Sequence, residues 1–342
     1  MSKFLSYKLS FFYYFLSVLI VLLHSNCKNT LNWVNDGSLF SDIIEKFIIY
    51  VCYLGHLAVP TFFIISAFLF YRNIKNIKDT IKKIKKRIKT LFVPYILWNT
   101  IFVLIFLSIF NSPISHFIHA PNDLNSISNT IKAILNSSYT PLWFIKNLLI
   151  YICLSPLLYY LSKHLICLLF IIILSIINIY YFNDISYYSP IYWLPCYLIG
   201  ILFTKEYFIH FFISDSTLNK LHTTLYLSVF IILLILAVHI NQLYIYRLLA
   251  PIIIWRLSNA ILCKNKIKTK YYWKYSFFIY CVHFFIINTL QKVMCIIMGN
   301  SNTSYIIIFL STPFIVIPIC IGIASFMEHK MNKCYNILTG NR

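Results

Sequence analysis

Ten apolar runs, each at or near the length needed to cross a bilayer, follow one another along this chain with only short polar breaks between them. They cover roughly residues 9–25, 47–71, 91–110, 142–161, 164–182, 188–203, 222–240, 243–262, 275–298 and 305–327. A helix that spans the hydrocarbon layer needs about 20 predominantly apolar residues, and in lipid its backbone must satisfy its own N–H and C=O groups. The pattern therefore predicts an all-α integral membrane protein, a bundle of about ten transmembrane helices. Composition agrees: 11% of the residues are charged, against about 25% in a soluble domain. The sixth run is short and holds Pro190, Pro195 and Gly200, so its ends are the least defined. A signal peptide is the competing reading of the first run, but no small-residue cleavage site follows it and further spans do. It reads as a membrane helix.

The placement of Lys and Arg orients the bundle, because both concentrate in cytoplasmic loops. With both termini cytoplasmic, 22 of the 29 lie on the inner side. These are Lys3 and Lys8, the nine from Arg72 to Lys89, Lys163, Lys205, Lys220, the five from Lys264 to Lys274, and the last three of the chain. Lys28, Lys46 and Lys132 fall in outer loops, and Lys146, Arg247, Arg256 and Lys292 fall within spans. Topology and attraction to membrane lipids account for the net charge of +20. The basic loop has no interleaved aromatics, so the reading includes no nucleic-acid partner.

The longest non-membrane segment, about 111–141, is too short to fold alone, so residues 1–342 read as a single transmembrane domain. The ten cysteines are scattered, mostly within spans and without a Cys-x-x-Cys pair, which suits buried packing. His116 and His119 stand three apart in the outer loop, but without further ligands nearby they predict no metal site.

Polar groups inside the hydrocarbon layer are costly and are therefore the functional candidates. His24 closes the first run, sixteen residues after Lys8, which places it about 24 Å along the helix, near the outer edge. It could simply mark the membrane boundary. The nine acids, however, all fall in loops or at helix ends, so a proton taken within the membrane must go to a histidine. His56 and His283 are the other deep histidines, and for His56 helix packing is the plainer role. In PLWFIKNLLIY, Trp143, Lys146 and Asn147 share one helical face near the outer surface, where a snorkelling lysine beside an interfacial tryptophan is the bland account. Arg247 and Lys292 also lie near outer helix ends, so an outward cavity shared by several cations and a histidine is expected. Arg256 points half a turn away from Arg247 and belongs to no common site.

Five segments, in this order, resemble the membrane enzymes of acyltransferase family 3: a first helix ending LLH, then LAVPTFFIISAFLF, KKRIKTLFVPYILWN, PLWFIKNLLIYICLSPLLYYL and YSFFIYCVHFF. They run from the first span to the ninth. The resemblance implies a ten- or eleven-span enzyme that takes an acyl group, usually acetyl, from cytoplasmic acyl-coenzyme A. It passes the group to a hydroxyl of a cell-surface carbohydrate or lipid-linked sugar, in a bacterial inner membrane. Carried over by motif, His24 becomes the catalytic base, with His283 the late histidine. Lys86, Arg87 and Lys89 meet the coenzyme's phosphates, and Trp143, Phe144 and Lys146 form the WF-R/K segment. Members commonly carry an arginine eleven residues before the first-helix histidine, and this chain has Tyr13 there.

Transfer to a hydroxyl needs a base for its proton, and neutral imidazole suits that task near pH 7. The tetrahedral intermediate needs a donor or cation at its oxyanion, for which Lys146, Asn147 and Tyr280 are candidates. No bound cofactor is required, acyl-coenzyme A being a co-substrate. Two other classes stay open: a transporter or flippase of lipid-linked sugars, whose signs, inverted repeats and broken helices in corresponding positions, the sequence does not show, and a non-catalytic membrane interaction protein.

Overall fold

The computed structural model describes residues 2–110, 126–181, 185–240, 242–263 and 269–341. Within these residues the chain is helical and contains no strand. Each of the ten apolar runs lies on a helix or a helix pair. The first is α1 (Lys3–His24), continued by the short α2 (Lys28–Leu31), and the second is α3 (Leu39–Gly55) with α4 (Ala58–Tyr71). The amphipathic α5 (Ile77–Arg87) then passes through a π turn, Ile88–Phe92, into α6 (Val93–Phe110). After α7 (Ile127–Asn136) come α8 (Trp143–Cys153), α9 (Ser155–Leu161), α10 (Leu165–Tyr181), α11 (Pro190–Leu202) and α12 (Glu206–Ile213). The chain continues as α13 (Lys220–His239), α14 (Leu243–Leu257) and α15 (Asn259–Leu262), and a 3₁₀ turn, Tyr271–Tyr275, opens α16 (Ser276–Met298). It closes with α17 (Asn302–Lys330) and α18 (Asn332–Thr339).

Seven of these stretches are long and apolar enough to cross a membrane, and nine if each of two bent pairs counts as one span. Three of the about ten expected spans are not straight helices of crossing length. The fourth run is a broken helix, bent by 61° between α8 and α9, which the sequence did not reveal, and the sixth forms only the 13-residue α11, which meets α12, beyond the run, at a 94° bend. Pro156 explains the first bend: it has no N–H to continue the ladder from α8 and sits where a proline is tolerated, at the start of a helix. The fifth run, α10, has 17 residues and falls just short of a full span.

Burial sorts the helices. α4 is enclosed on nearly every side, with Ala58, Phe63, Ile65, Ala67 and Phe68 fully buried, and it packs against α1 and α11. Gly200 of α11 makes this approach possible, since a Cβ there would stand 2.3 Å from the Ile64 carbonyl oxygen. α10 and α13 are peripheral, and exposed apolar residues such as Ile166, Phe170, Ile231 and Ile232 give them a lipid-facing surface.

Three links gather the basic segments at one end of the bundle. Tyr159 Oη donates to the Lys75 carbonyl at 2.6 Å, Lys205 donates to the Ser162 carbonyl, and Lys274 pairs with Glu328 at 2.5 Å. At the opposite end Lys28 pairs with Glu45 at 2.5 Å, and Trp33 Nε1 donates to Asn302 Oδ1 at 2.8 Å. There Ser38 and Ser41 hold the Asp36 carboxyl well below the usual carboxylate range. Lys8, assigned by sequence to the inner polar flank, is instead enclosed by the bundle at 1% exposure. Its ammonium donates to the Trp255 carbonyl at 2.6 Å and to Asn259 Oδ1 at 2.7 Å, and it lies 4.1 Å from the Trp255 ring centroid. Those acceptors and the ring replace its hydration.

Candidate active site

His24 is the last residue of α1. Just beyond it, Ser25 Oγ donates back to the Val21 carbonyl at 2.7 Å, while Gln291 Nε2 of α16 donates to the Ser25 carbonyl at 2.8 Å. These bonds fix the end of α1 against α16, and α16 brings in His283. The two imidazole centroids are 5.4 Å apart. His283 is completely buried, with Nδ1 3.0 Å from the Ile279 carbonyl oxygen and 2.9 Å from that of Tyr280. A carbonyl only accepts, so Nδ1 carries the hydrogen and Nε2 keeps its lone pair. That buried Nε2 has no hydrogen-bond partner.

His56 joins the same end from the break between α3 and α4. Gly55 allows it: a Cβ there would meet Leu23 Cβ at 2.6 Å and the Leu19 carbonyl oxygen at 2.9 Å, so α3 can lie directly on the last turn of α1. His56 is within electrostatic reach of His24 and accepts from Arg247 Nη2 at 3.1 Å. Arg247 also donates to Tyr192 Oη at 2.6 Å, and its guanidinium lies 4.6 Å from the Tyr187 ring centroid and 5.7 Å from those of Tyr192 and Trp193. The packing role expected for His56 thus understates its position.

A cavity of about 590 Å³ opens at the basic end. Arg87, Lys270 and Lys274 line it there, the first placed by the π turn that follows α5. Deeper in, its wall is neutral and largely apolar, with Tyr13 and Ser17 on α1, Phe62 on α4 and Leu148 on α8, and Phe144 and Tyr280 also lining it. Tyr280 lies one helical turn before His283, with ring centroids 6.2 Å apart, so it stands between the cavity and the histidine pair. Ser17 is about 10 Å along α1 from His24. Tyr280 Oη donates to the Pro141 carbonyl at 2.6 Å, which ties α16 to the turn before α8.

The expected site residues divide. His24, His283 and Arg247 cluster at one end, and Tyr280 joins them to the cavity. Trp143 belongs to the aromatic wall around Arg247, 5.1 Å from Tyr187 and 5.8 Å from Trp193. Asn147 is fully buried, its Nδ2 donating to the Tyr188 carbonyl at 3.0 Å and its Oδ1 unpartnered. Lys146 reaches toward Asn136 Oδ1 at 3.4 Å. Of the basic run, Arg87 faces the cavity while Lys86 and Lys89 are exposed to its side. Lys292 is exposed and lines no cavity. The cavity found opens at the opposite end from the outward one expected.

Sequence reasoning missed Lys270, Lys274 and Glu328. The Glu328 carboxylate accepts from Tyr271 Oη at 2.8 Å, Tyr275 Oη at 2.7 Å and Lys274 Nζ at 2.5 Å, and so sets the cavity mouth. A lone acid near the end of α17, expected on the same side of the membrane as the five lysines from Lys264 to Lys274, was the available signal. His116 and His119 lie outside the described residues, and no metal-binding cluster of His, Cys, Asp or Glu occurs among those described.

Neither a curated protein nor a solved structure matches the chain. One family model does: the acyltransferase domain of family 3 matches residues 8–325, from the second turn of α1 to the last turns of α17. With apolar helices able to cross a membrane and a match over nearly all of its length, the chain belongs to this family of membrane acyltransferases and is an acyltransferase enzyme.

Proposed function

We propose that the protein moves an acetyl group from acyl-coenzyme A, bound at the basic end, to a hydroxyl of a cell-surface or lipid-linked carbohydrate reached from the His24 end. The observation that carries this reading is the cavity: cations at its mouth, a neutral body, and a floor one helical turn from buried His283, whose ring stands beside that of half-buried His24. Arg87, Lys270 and Lys274 hold the donor's phosphates, and the pantetheine arm follows the cavity toward Tyr280. The ten-span topology, with both termini cytoplasmic, puts the basic end in the cytoplasm of a bacterial inner membrane.

His24 takes the proton of the acceptor hydroxyl as its oxygen attacks the thioester carbonyl; a C–O bond forms, the C–S bond breaks, and coenzyme A leaves as its thiol. His283, with its hydrogen held on Nδ1 and its Nε2 lone pair free, accepts an N–H of His24 when that ring turns toward it on gaining the proton. Of Lys146, Asn147 and Tyr280, only Tyr280 lines the cavity, which favours its hydroxyl as the oxyanion donor once it leaves the Pro141 carbonyl. Tyr13, in place of the usual arginine, stacks on Phe62 at 6.1 Å and leaves the deep cavity without a cation. The cations at the mouth then carry the electrostatic part of donor binding alone.

The test is thioester consumption by the purified protein in lipid with a surface-glycan extract. Release of free coenzyme A that requires the extract supports transfer. Movement of lipid-linked sugar across the bilayer without coenzyme A release would support a flippase instead.

A further inference from the structure

Arg247 is a permanent cation, 6% exposed, on a membrane-spanning helix. A charge so placed is costly and ordinarily sits beside an acid. Among the described residues the ion pairs are Lys28–Glu45 and Lys274–Glu328, and neither involves Arg247. Its surroundings hold it without neutralising it. Three aromatic faces pack around the guanidinium, Nη1 is bonded to Tyr192 Oη and Nη2 to His56 Nδ1, while Nε is buried with no partner. A guanidinium has five N–H donors, so two bonds leave it unsatisfied as well as unpaired. Because arginine always donates, His56 must accept at Nδ1 and is held in the tautomer with its hydrogen on Nε2. The side chains present a fixed positive charge, an unused donor edge and an imidazole N–H beside His24. A structural clamp needs only the aromatic faces and the two bonds; the free Nε and the missing counter-charge remain unexplained by it.

We propose that Arg247 and His56 form an anion-recognition site for the acceptor, whose acylated sugar carries a carboxylate or phosphate close to the hydroxyl that reacts. This rests on the acyltransferase reading for the role of the bound molecule, though not for its binding. The anion supplies the missing counter-charge and the acceptors for the free N–H groups. Trp143, half-buried and 5.8 Å from the Trp193 ring that packs on the guanidinium, offers a flat face for a sugar ring. A neutral sugar gains the ring contact but leaves the buried charge unpaired, so discrimination against it is built in.

The experiment measures heat stability of the purified full-length chain in lipid nanodiscs, without acyl-coenzyme A and at constant ionic strength. The probes are methyl β-glucuronide, glucose 1-phosphate and methyl β-glucoside. Ligand that binds only the folded state raises the unfolding temperature with concentration, which yields an apparent affinity for each. One or both anions should bind at least about tenfold more tightly than the glucoside, the scale of a hydrogen bond to a charged group. Preference for the glucuronide identifies a carboxylate on the sugar, and preference for the sugar phosphate identifies a carrier-type phosphate. Arg247→Gln should erase the preference, and Arg256→Gln, a cation of α14 near Ser216, should keep it. Equal affinity for all three probes in the unaltered chain overturns the proposal even if Arg247→Gln does not insert. So does a preference that survives Arg247→Gln or is lost in Arg256→Gln. Preference for an anion in a protein that releases no coenzyme A would leave this site standing and remove the acyltransfer role.

Discussion

The His283 imidazole lies 5.4 Å from that of His24, and two backbone carbonyls of its own helix force its hydrogen onto Nδ1. Its other nitrogen is a buried acceptor with nothing to accept. A hydrogen bond formed there as His24 gains its proton would contribute about 1.5–3 kcal/mol, the range for a bond to a charged group. His283→Phe, which keeps an aromatic ring of similar shape, should therefore lower kcat by about 10- to 100-fold with little change in the KM for acyl-coenzyme A. A change confined to KM would place His283 in donor binding.

Donor affinity should follow the cavity rather than the sequence run. Replacing Arg87, Lys270 and Lys274 together with glutamine should raise the KM for acyl-coenzyme A more than it lowers kcat. Lys86→Gln with Lys89→Gln, both exposed beside the cavity, should leave KM within about a factor of two. Steady-state kinetics of the two variants compares them directly. The opposite ranking would return the phosphate site to the exposed face of α5 and the π turn.

Gly200→Ala should destabilise the protein. Alanine favours a helix over glycine by about 1 kcal/mol. Here its Cβ would lie 2.3 Å from the Ile64 carbonyl oxygen and 2.7 Å from Ala67 Cβ, and overpacking of this kind costs about 1–3 kcal/mol. Backbone contact leaves no flexible side chain to yield, so the unfolding temperature in detergent should fall.

The topology is testable without activity. Ser126 is an exposed N-cap and Lys82 is exposed on α5. In intact cells, cysteine at Ser126 should react with an impermeant thiol reagent, whereas cysteine at Lys82 should react only after the membrane is opened. The reverse pattern would invert the bundle and place the cavity mouth outside.

Sequence periodicity and charge made the helices and their basic end legible, because hydrophobic length and lysine placement are local properties. His24, His283, Arg87 and Tyr280 were legible through motif and through the cost of polar groups in lipid. The break after Cys153 was not, since a bent span and a straight one have the same apolar length. His56 was undervalued because its position depends on Gly55 meeting Leu23, a contact between helices that no spacing along one helix reveals. Lys8 looked like flank for the same reason: its acceptors, Trp255 and Asn259, lie nearly 250 residues away. Lys270 and Lys274 were counted for orientation alone, and only the fold turns that loop toward the cavity with Arg87.

The central claim is that His24 takes the hydroxyl proton, and His24→Gln tests it most directly, because glutamine keeps a hydrogen bond but cannot accept the proton at neutral pH. The measurement is the rate of acceptor-dependent coenzyme A release by the purified variant, with its insertion and unfolding temperature checked against the unaltered chain. The account predicts normal insertion and a loss of at least about 10²–10⁴-fold in kcat. Near-normal turnover in His24→Gln would contradict it and reduce His24 to an orienting group.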